Sequence, residues 1–163
     1  MAHAHAHARN APATALAGLV RSIEARGNGA FAASILLLRN GRLYHEASSG
    51  LPAAYCEAIE GLKVGPKTAS CGTAAFCGHP IYVPDISEDA LWAPCPEIAG
   101  TAVEAGFRAC WSVPIKDADR KVIGTFAIYN REARGPTATE RRLLAEAAQA
   151  AAALLTEAAP VAA

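Results

Sequence analysis

The sequence predicts an α+β fold with an antiparallel sheet. Apolar segments of strand length stand in pairs separated by short turns, and amphipathic helical patterns stand near both ends of the chain. A parallel sheet would alternate strands with crossover helices, and no such repeat is visible. We expect the two terminal helices to pack together on one face of the sheet. Residues 53–106 should then cover the other face, with a ligand pocket between them and the sheet.

The N-terminal part of the chain predicts a helix followed by a hairpin. Residues 14–26 place apolar side chains on one helical face, and Gly27 ends the pattern. Asn40-Gly41 is typical of a two-residue hairpin turn. It joins a predicted strand over 33–38 to a second over 42–47.

The middle segment predicts short elements between loops. Their order is a helix over 53–60, a loop over 63–67, a helix from Ser70 to Cys77, a strand over 80–84, an irregular loop over 85–96 and a helix over 97–105. The helix that opens with Ser70-Cys71-Gly72 is the most informative of these. Its N-terminus offers free backbone N–H groups, the positive end of a helix dipole and a thiol that could be acidified. We therefore expect it to form the floor of a small-molecule pocket.

The C-terminal part predicts a second hairpin, with strands over 107–115 and 121–130. Pro114 has no backbone N–H to donate, so it must lie at a sheet edge, at a bulge or at the end of the strand. The last helix, over 137–157, opens with a capping box of Thr137 and Glu140.

The apolar stripe of the last helix is broader than packing on one sheet face requires. It comprises Leu143, Leu144, Ala147, Ala148, Ala151, Leu154 and Leu155. We therefore expect a homodimer formed through residues 14–26 and 137–157.

Bulk properties exclude several classes of protein. Residues 1–8 alternate alanine and histidine like a purification tag, which leaves residues 9–163 as a single domain. The 15 basic and 15 acidic residues balance, and no basic stripe favours a nucleic-acid partner. No apolar run approaches the roughly 20 residues that cross a membrane. Five cysteines at irregular spacing favour the reducing cytoplasm over a secreted disulfide scaffold.

Taken together, five motifs resemble those of bacterial GAF domains. They are GPKTASCGTAAFCG at 65–78, YVPDI at 82–86, LWAP at 91–94, GFRACWSVPI at 106–115 and VIGTFAIY at 122–129. The resemblance covers residues 14–157. It implies a sensory module that binds a small molecule, dimerises through its terminal helices and signals through a partner. A histidine kinase or a cyclic-dinucleotide output protein is the partner class that it suggests.

The first candidate ligand contacts lie in the middle segment. Cys71, Gly72 and Thr73 would offer backbone donors, and Trp92 would act as a lid contact from the irregular loop. Asp85 could hold a ligand donor or cap the turn after Pro84. Each has a structural alternative, since cysteine is often a small buried residue and Trp92 could simply pin the loop.

The remaining candidates lie on the second hairpin. Because side chains alternate along a strand, Cys110 and Ser112 share one face of the strand over 107–115, opposite the larger face that contains Trp111. Thr125 and Tyr129 share a face of the next strand. These four smaller, more polar side chains are typical of a pocket lining. Trp111 itself could stack on a ligand or fill the core.

A second hypothesis is an enzyme. The chain also resembles the free methionine-(R)-sulfoxide reductases, which share the fold and carry a Cys-Gly pair where Cys71-Gly72 stands. Cys71, Cys95 and Cys110 would then be the catalytic thiols. The resemblance departs at Ile81, where that family would have a second cysteine. A third hypothesis is a GAF fold that binds no ligand and only dimerises.

The sequence favours neither a metal nor a known cofactor. Cys77 and His79 are the one close pair of metal-ligating types, and no Cys-x-x-Cys pattern accompanies them. Haem would need an inward-facing histidine, which we expect neither of His45 nor of His79. No cysteine is followed by histidine, the pair typical of bilin attachment in GAF photosensors.

Overall fold

A computed structural model describes the backbone of residues 3–157 and the side chains of residues 12–157. The predicted tag therefore falls partly on residues 1 and 2, which lie outside the described residues, and partly on backbone that begins the first helix. The elements in chain order are α1 (His3–Arg26), β1 (Phe31–Arg39), β2 (Arg42–Ser49), α2 (Ala53–Ile59), β3 (Leu62–Lys63), α3 (Ala69–Cys77), β4 (Ile81–Val83), α4 (Pro96–Glu104), β5 (Ala109–Lys116), β6 (Val122–Asn130) and α5 (Ala138–Glu157).

The strands form one six-stranded antiparallel sheet in the order β3-β2-β1-β6-β5-β4. The β1–β2 turn has positive φ at both Asn40 and Gly41, as a two-residue hairpin requires. Pro114 lies on β5 beyond the last residue that pairs with β4, so its missing N–H faces an uncovered edge. The predicted α+β class and both hairpins are confirmed, and of the three positions open to Pro114 the structure shows the edge.

Two differences from the sequence prediction are local. Residues 62 and 63 form the short strand β3 against β2, where the sequence predicted a loop to begin at 63. The first helix begins at His3 rather than at residue 14, since the alanine-rich run before it has high helix propensity.

The terminal helices cover one face of the sheet, which we call the helix face. Their buried side chains, such as Leu16, Val20 and Leu144, pack on Trp111 of β5 and Phe126 of β6 within one apolar cluster. The capping box at the start of α5 is formed as predicted. Glu140 accepts a hydrogen bond from the Thr137 backbone N–H at 2.9 Å, and the Thr137 hydroxyl accepts one from the Glu140 N–H at 3.1 Å.

The opposite face, which we call the middle-segment face, is covered by α2, α3, α4 and the loop between β4 and α4. Its apolar cluster holds Leu36, Ile59, Ile86, Trp92 and Phe107. No helix among residues 3–157 is long and apolar enough to span a membrane.

Candidate functional site

Beneath α2 and α3, the middle-segment face carries a group of buried hydroxyls and thiols, which we call the polar cluster. Sheet strands supply most of it, and one residue each comes from α2 and α3. Its members are Ser34, Tyr55, Cys71, Cys110, Ser112, Thr125 and Tyr129. All of them are 0–2% exposed, and none carries a formal charge in its ordinary protonation state. Buried polar groups of this kind normally satisfy one another by hydrogen bonds, so each partner matters.

Cys71 lies at the centre of the polar cluster. Its Sγ is 3.1 Å from the Ser112 Oγ, and the Cys110 Sγ is 3.7 Å from the same oxygen. Hydrogen bonding from the Cys110 thiol lowers the pKa of Cys71 most, with further lowering by Ser112, Thr125 and Tyr129, to about 7. Burial acts against these hydrogen bonds. The structure thus places the Cys71 sulfur among hydroxyl and thiol groups that favour its thiolate form.

Cys110 shows the opposite behaviour. Burial raises its pKa well above the usual value, and the neighbouring Cys71 raises it further. Two like-charged thiolates cannot share this space, so Cys110 is the proton donor of the pair and Cys71 the acceptor.

Two tyrosines form the second half of the polar cluster. The Tyr55 hydroxyl from α2 donates to the Tyr129 hydroxyl at 2.8 Å, and the Ser34 Oγ lies 3.4 Å from the Tyr129 hydroxyl. Their rings meet edge to face, with centroids 5.1 Å apart. Burial raises the pKa of both tyrosines well above the usual value, so both remain neutral at physiological pH.

Thr125 is the exception in the polar cluster. Its Oγ1 is buried and makes no well-formed hydrogen bond with a described group, although it lies near enough to Cys71 to lower the pKa of that thiol. A buried hydroxyl without a partner costs about 1–3 kcal/mol. This atom is therefore a polar group that the protein alone does not satisfy.

The local structure at the start of α3 accounts for the presence of Gly72 and Thr73 there. A β-carbon at residue 72 would collide with the side chain of Thr68, so the close approach of these two residues favours glycine. The Thr73 hydroxyl donates to the Ala69 carbonyl at 2.6 Å and accepts from the Thr68 N–H at 3.2 Å. Both residues shape the turn into α3, and neither side chain is a hydrogen-bonding member of the polar cluster.

The loop between β4 and α4 is fastened to the start of α3. The Trp92 indole N–H donates to the Ser70 hydroxyl at 2.8 Å, and the Ala69 N–H donates to the Leu91 carbonyl at 2.9 Å. Trp92 is 1% exposed, so its ring belongs to the core and its indole nitrogen pins the loop. Ala69 itself has a φ of 55°, an unfavourable value for a residue with a side chain.

Asp85 lies at the outer end of this loop and away from the polar cluster. Its Oδ1 accepts from the Ser87 hydroxyl and backbone N–H at 2.6 and 3.1 Å, and its Oδ2 pairs with Arg108 at 2.9 Å. The hydrogen bonds from Ser87, followed by Arg108, lower the pKa of Asp85. The geometry matches the turn-capping alternative.

The remaining thiols do not reach the polar cluster. Cys95 is the residue before α4, where burial raises the pKa of its thiol. Cys77 is exposed, and Cys56 lies 3.6 Å from the Ser48 Oγ. All five cysteines are free, and residues 12–157 contain no group of three or more metal-ligating side chains that could hold an ion.

The structure thus brings together Cys71 and the four candidates from the second hairpin. It places Gly72, Thr73 and Trp92 in supporting positions beside them, and Asp85 away from them. Sequence reasoning missed Ser34, Tyr55 and Ser70. A signal existed for Tyr55, which is the one aromatic residue of a short alanine-rich helix.

Comparisons with known proteins identify relatives of this architecture. A family model described as GAF domain matches residues 12–156. A methyl sulfide methyltransferase-associated sensor from Methanosarcina acetivorans is 38% identical over 99 residues, which are 61% of this chain and 10% of that protein. The chain thus spans about a tenth of the length of this curated relative.

Solved structures share the fold at low identity. The GAF domain of a phosphoenolpyruvate-protein phosphotransferase from Coxiella burnetii superposes with a TM-score of 0.74 at 20% identity, over 92% of this chain and 87% of that one. A type II free methionine-R-sulfoxide reductase from Thermoplasma acidophilum superposes with a TM-score of 0.73 at 14% identity, over 92% and 96%. Sensor and enzyme relatives are therefore both similar to this chain in fold.

Proposed function

Because this chain belongs to the GAF domain family, we propose that it is a cytoplasmic sensory module that binds a small molecule at the polar cluster and signals through a partner. The observation that carries the proposal is Thr125, whose buried Oγ1 has no protein partner. Orphaned polar groups in native cores call for a ligand, a water molecule or a functional role as explanation. The sensor name of the Methanosarcina relative supports the regulatory part of the proposal.

The chemistry of the polar cluster favours a small ligand without a net negative charge. Hydroxyl groups can donate or accept, and the Cys71 thiol, with a pKa of about 7, is partly anionic at neutral pH. An anionic ligand would meet this thiolate in a low-dielectric site without a compensating cation. A neutral ligand with one or two hydrogen-bonding groups meets no such penalty.

The ligand would enter under the loop between β4 and α4, with Trp92 as the lid contact. This lid is held by the two hydrogen bonds from Trp92 to Ser70 and from Ala69 to Leu91. Opening it requires both to break, and ligand binding would reorder the loop and shift the sheet against the terminal helices. A homodimer through α1 and α5 would carry that shift to a histidine kinase or a cyclic-dinucleotide output protein.

Native mass spectrometry of freshly purified protein, beside its denatured mass, tests this function. We expect the native spectrum of the wild-type protein to show a dimer that carries additional, non-covalently bound mass. Thr125→Val should lose the extra mass, because it deletes the orphaned hydroxyl and keeps the shape. Thr139→Val is the matched control, since Thr139 is exposed on α5. Retention of the mass by Thr125→Val would contradict the assignment of the site.

Hydrogen exchange tests the lid separately. With a verified ligand, the amides of residues 85–106 should become more protected, because the loop and α4 close over the site. Unchanged exchange there would show that the loop does not respond to binding.

A thiol-dependent reductase is the second candidate, and the pairing of Cys71 with Cys110 favours it. In such a reaction a sulfoxide and two thiols become a thioether, a disulfide and water. Mild peroxide should then give an intramolecular disulfide, and Cys71→Ser or Cys110→Ser should abolish sulfoxide reduction. Sulfoxide turnover by the wild type, lost in these variants, would replace the sensor proposal.

A further inference from the structure

A groove of about 510 Å³ lies on the helix face, at the edge of the sheet beyond β4. It is bounded by α5 over 145–152, by β5 over 113–116, by the β5–β6 turn, and by the connection from α3 to β4. Its size is that of small-molecule sites in general. The polar cluster lies on the other face of the sheet, so the groove is a separate place.

The groove carries positive charge without full compensation. Lys116 and Arg120 line it, and neither forms an ion pair with another residue of the described chain. Asp117 is the acidic residue of the lining, and its Oδ1 accepts from the backbone N–H groups of Asp119 and Lys121 at 2.9 Å each. That carboxylate is therefore engaged in holding the turn, while the two cations remain available to a ligand.

The backbone brings both cations to the rim of the groove. Arg120 has a φ of 63°, in the left-handed region where glycine is favoured, yet the turn carries an arginine there. The Lys116 Nζ lies 3.9 Å from the place that a β-carbon on Gly78 would occupy, beside the C-terminus of α3. The partial negative charge of that helix end helps to hold the ammonium over the groove.

Apolar and aromatic surface makes up the rest of the groove. Val113, Pro114 and Ala148 contribute aliphatic surface, and the Tyr82 ring lies beneath the Arg141 guanidinium, 5.3 Å from its charged carbon. His79 is exposed at the rim. This combination of cations and flat apolar surface matches an anion attached to a ring.

We propose that this groove is a second binding site, for a small organic anion with an aromatic or other apolar body. The anionic group contacts Lys116 and Arg120, and the body lies against β5 and α5. Such a ligand touches the sheet and the C-terminal helix at once. The proposal depends neither on the polar cluster nor on what binds there.

Amide chemical-shift titrations test this site with two probes that share a naphthalene ring and differ in charge. We expect 2-naphthyl phosphate to shift signals of residues 78–82, 113–120 and 145–152 in a saturable way. Neutral 2-naphthol should bind there at least about tenfold more weakly, because it lacks the charge-assisted hydrogen bonds to the cations. Equal affinity of both probes, or shifts centred elsewhere, would overturn the proposal.

Two variants and a control assign the effect to the cations. Arg120→Gly removes one charge and suits the left-handed backbone, so the fold is retained, and Lys116→Gln removes the other. Each should weaken binding of the phosphate probe by about fivefold or more. Lys67→Gln makes the same change of net charge in an exposed loop and should leave the affinity unaltered.

Two results would contradict this assignment. If all three variants weaken binding of the phosphate probe equally, the probe is attracted by the net charge of the protein and not by the groove. If the groove signals move with protein concentration in the absence of a probe, the groove is a contact between copies of the chain and not a ligand site.

Discussion

The two faces of the sheet differ in what they bury. The helix face is covered by aliphatic and aromatic side chains, and the indole N–H of Trp111 there donates to the Arg134 carbonyl at 3.0 Å. The middle-segment face buries the seven hydroxyls and thiols of the polar cluster, one of which has no partner among the described residues. Apolar burial stabilises by about 25 cal/mol per Å², whereas a buried hydrogen bond contributes about 1 kcal/mol net. The comparison teaches that both faces stabilise the fold by apolar burial, and that the middle-segment face adds the polar cluster to it.

Strand β6 shows the same contrast within one element. Phe126 and Ile128 point to the helix face, and Thr125 and Tyr129 point to the middle-segment face. Substitutions on β6 therefore probe both faces of the sheet within a single strand. This strand is suited to testing how the two faces differ in their contribution to stability.

The largest effect is expected on the helix face. Phe126→Ala removes a ring that is 0% exposed and leaves a cavity, so the free energy of unfolding should fall by about 3–5 kcal/mol. Urea denaturation would measure it. Phe76→Ala is the matched control, because Phe76 is 58% exposed and its loss should change stability by less than about 0.5 kcal/mol. A loss below about 1 kcal/mol for Phe126→Ala would contradict the account of this face.

A smaller loss is expected for the tyrosine pair. Tyr129→Phe keeps the ring but leaves the Tyr55 hydroxyl without its acceptor, so the free energy of unfolding should fall by about 1–2 kcal/mol. Tyr82→Phe provides the comparison with a half-buried ring, and it should be neutral within about 0.5 kcal/mol. A neutral Tyr129→Phe would mean that the pair contributes nothing to stability.

The thiol at the centre of the polar cluster gives a pH dependence. Because the folded pKa of Cys71 is lowered from 9.0 to about 7, the folded state releases this proton first. Its contribution to stability is complete above about pH 9 and is lost as the pH falls through 7. The free energy of unfolding should therefore rise between about pH 7 and 9, before the raised pKa of Cys110 acts in the opposite direction.

Unfolding curves at several pH values would measure this rise. Cys71→Ser should abolish it, and Cys77→Ser, at an exposed thiol, should preserve it. A wild-type stability that does not change over this interval would show that Cys71 stays a neutral thiol in the folded protein.

The parts of the fold that the sequence predicts correctly are those that depend on local patterns. The Asn40-Gly41 turn, the capping box of α5 and the alternation along β5 each lie within a few residues, and the structure has all three. Strand β3 was missed because Leu62 and Lys63 become a strand only by pairing with β2. The broad apolar stripe of α5 predicts a subunit interface in addition to packing on the sheet, and the structure shows the packing, with Leu144 fully buried. Dimerisation itself stays a prediction.

The site was predictable on the same terms. Cys110, Ser112, Thr125 and Tyr129 were grouped by side-chain alternation, and the structure gathers them around Cys71. The Tyr55–Tyr129 hydrogen bond joins residues 74 positions apart, which no local pattern reveals. The sequence also does not reveal on which face of the sheet Trp111 lies. Only tertiary packing decides which face meets the helices.

The most direct test of the central claim is the stability of Thr125→Val without ligand. If the polar cluster keeps an unsatisfied hydroxyl for function, removing it should raise the free energy of unfolding by about 0.5–1 kcal/mol, because valine fills the same space without the desolvation penalty. A loss of about 1 kcal/mol or more would show that the Thr125 hydroxyl is hydrogen-bonded in the empty protein, and it would contradict the claim that this group awaits a ligand.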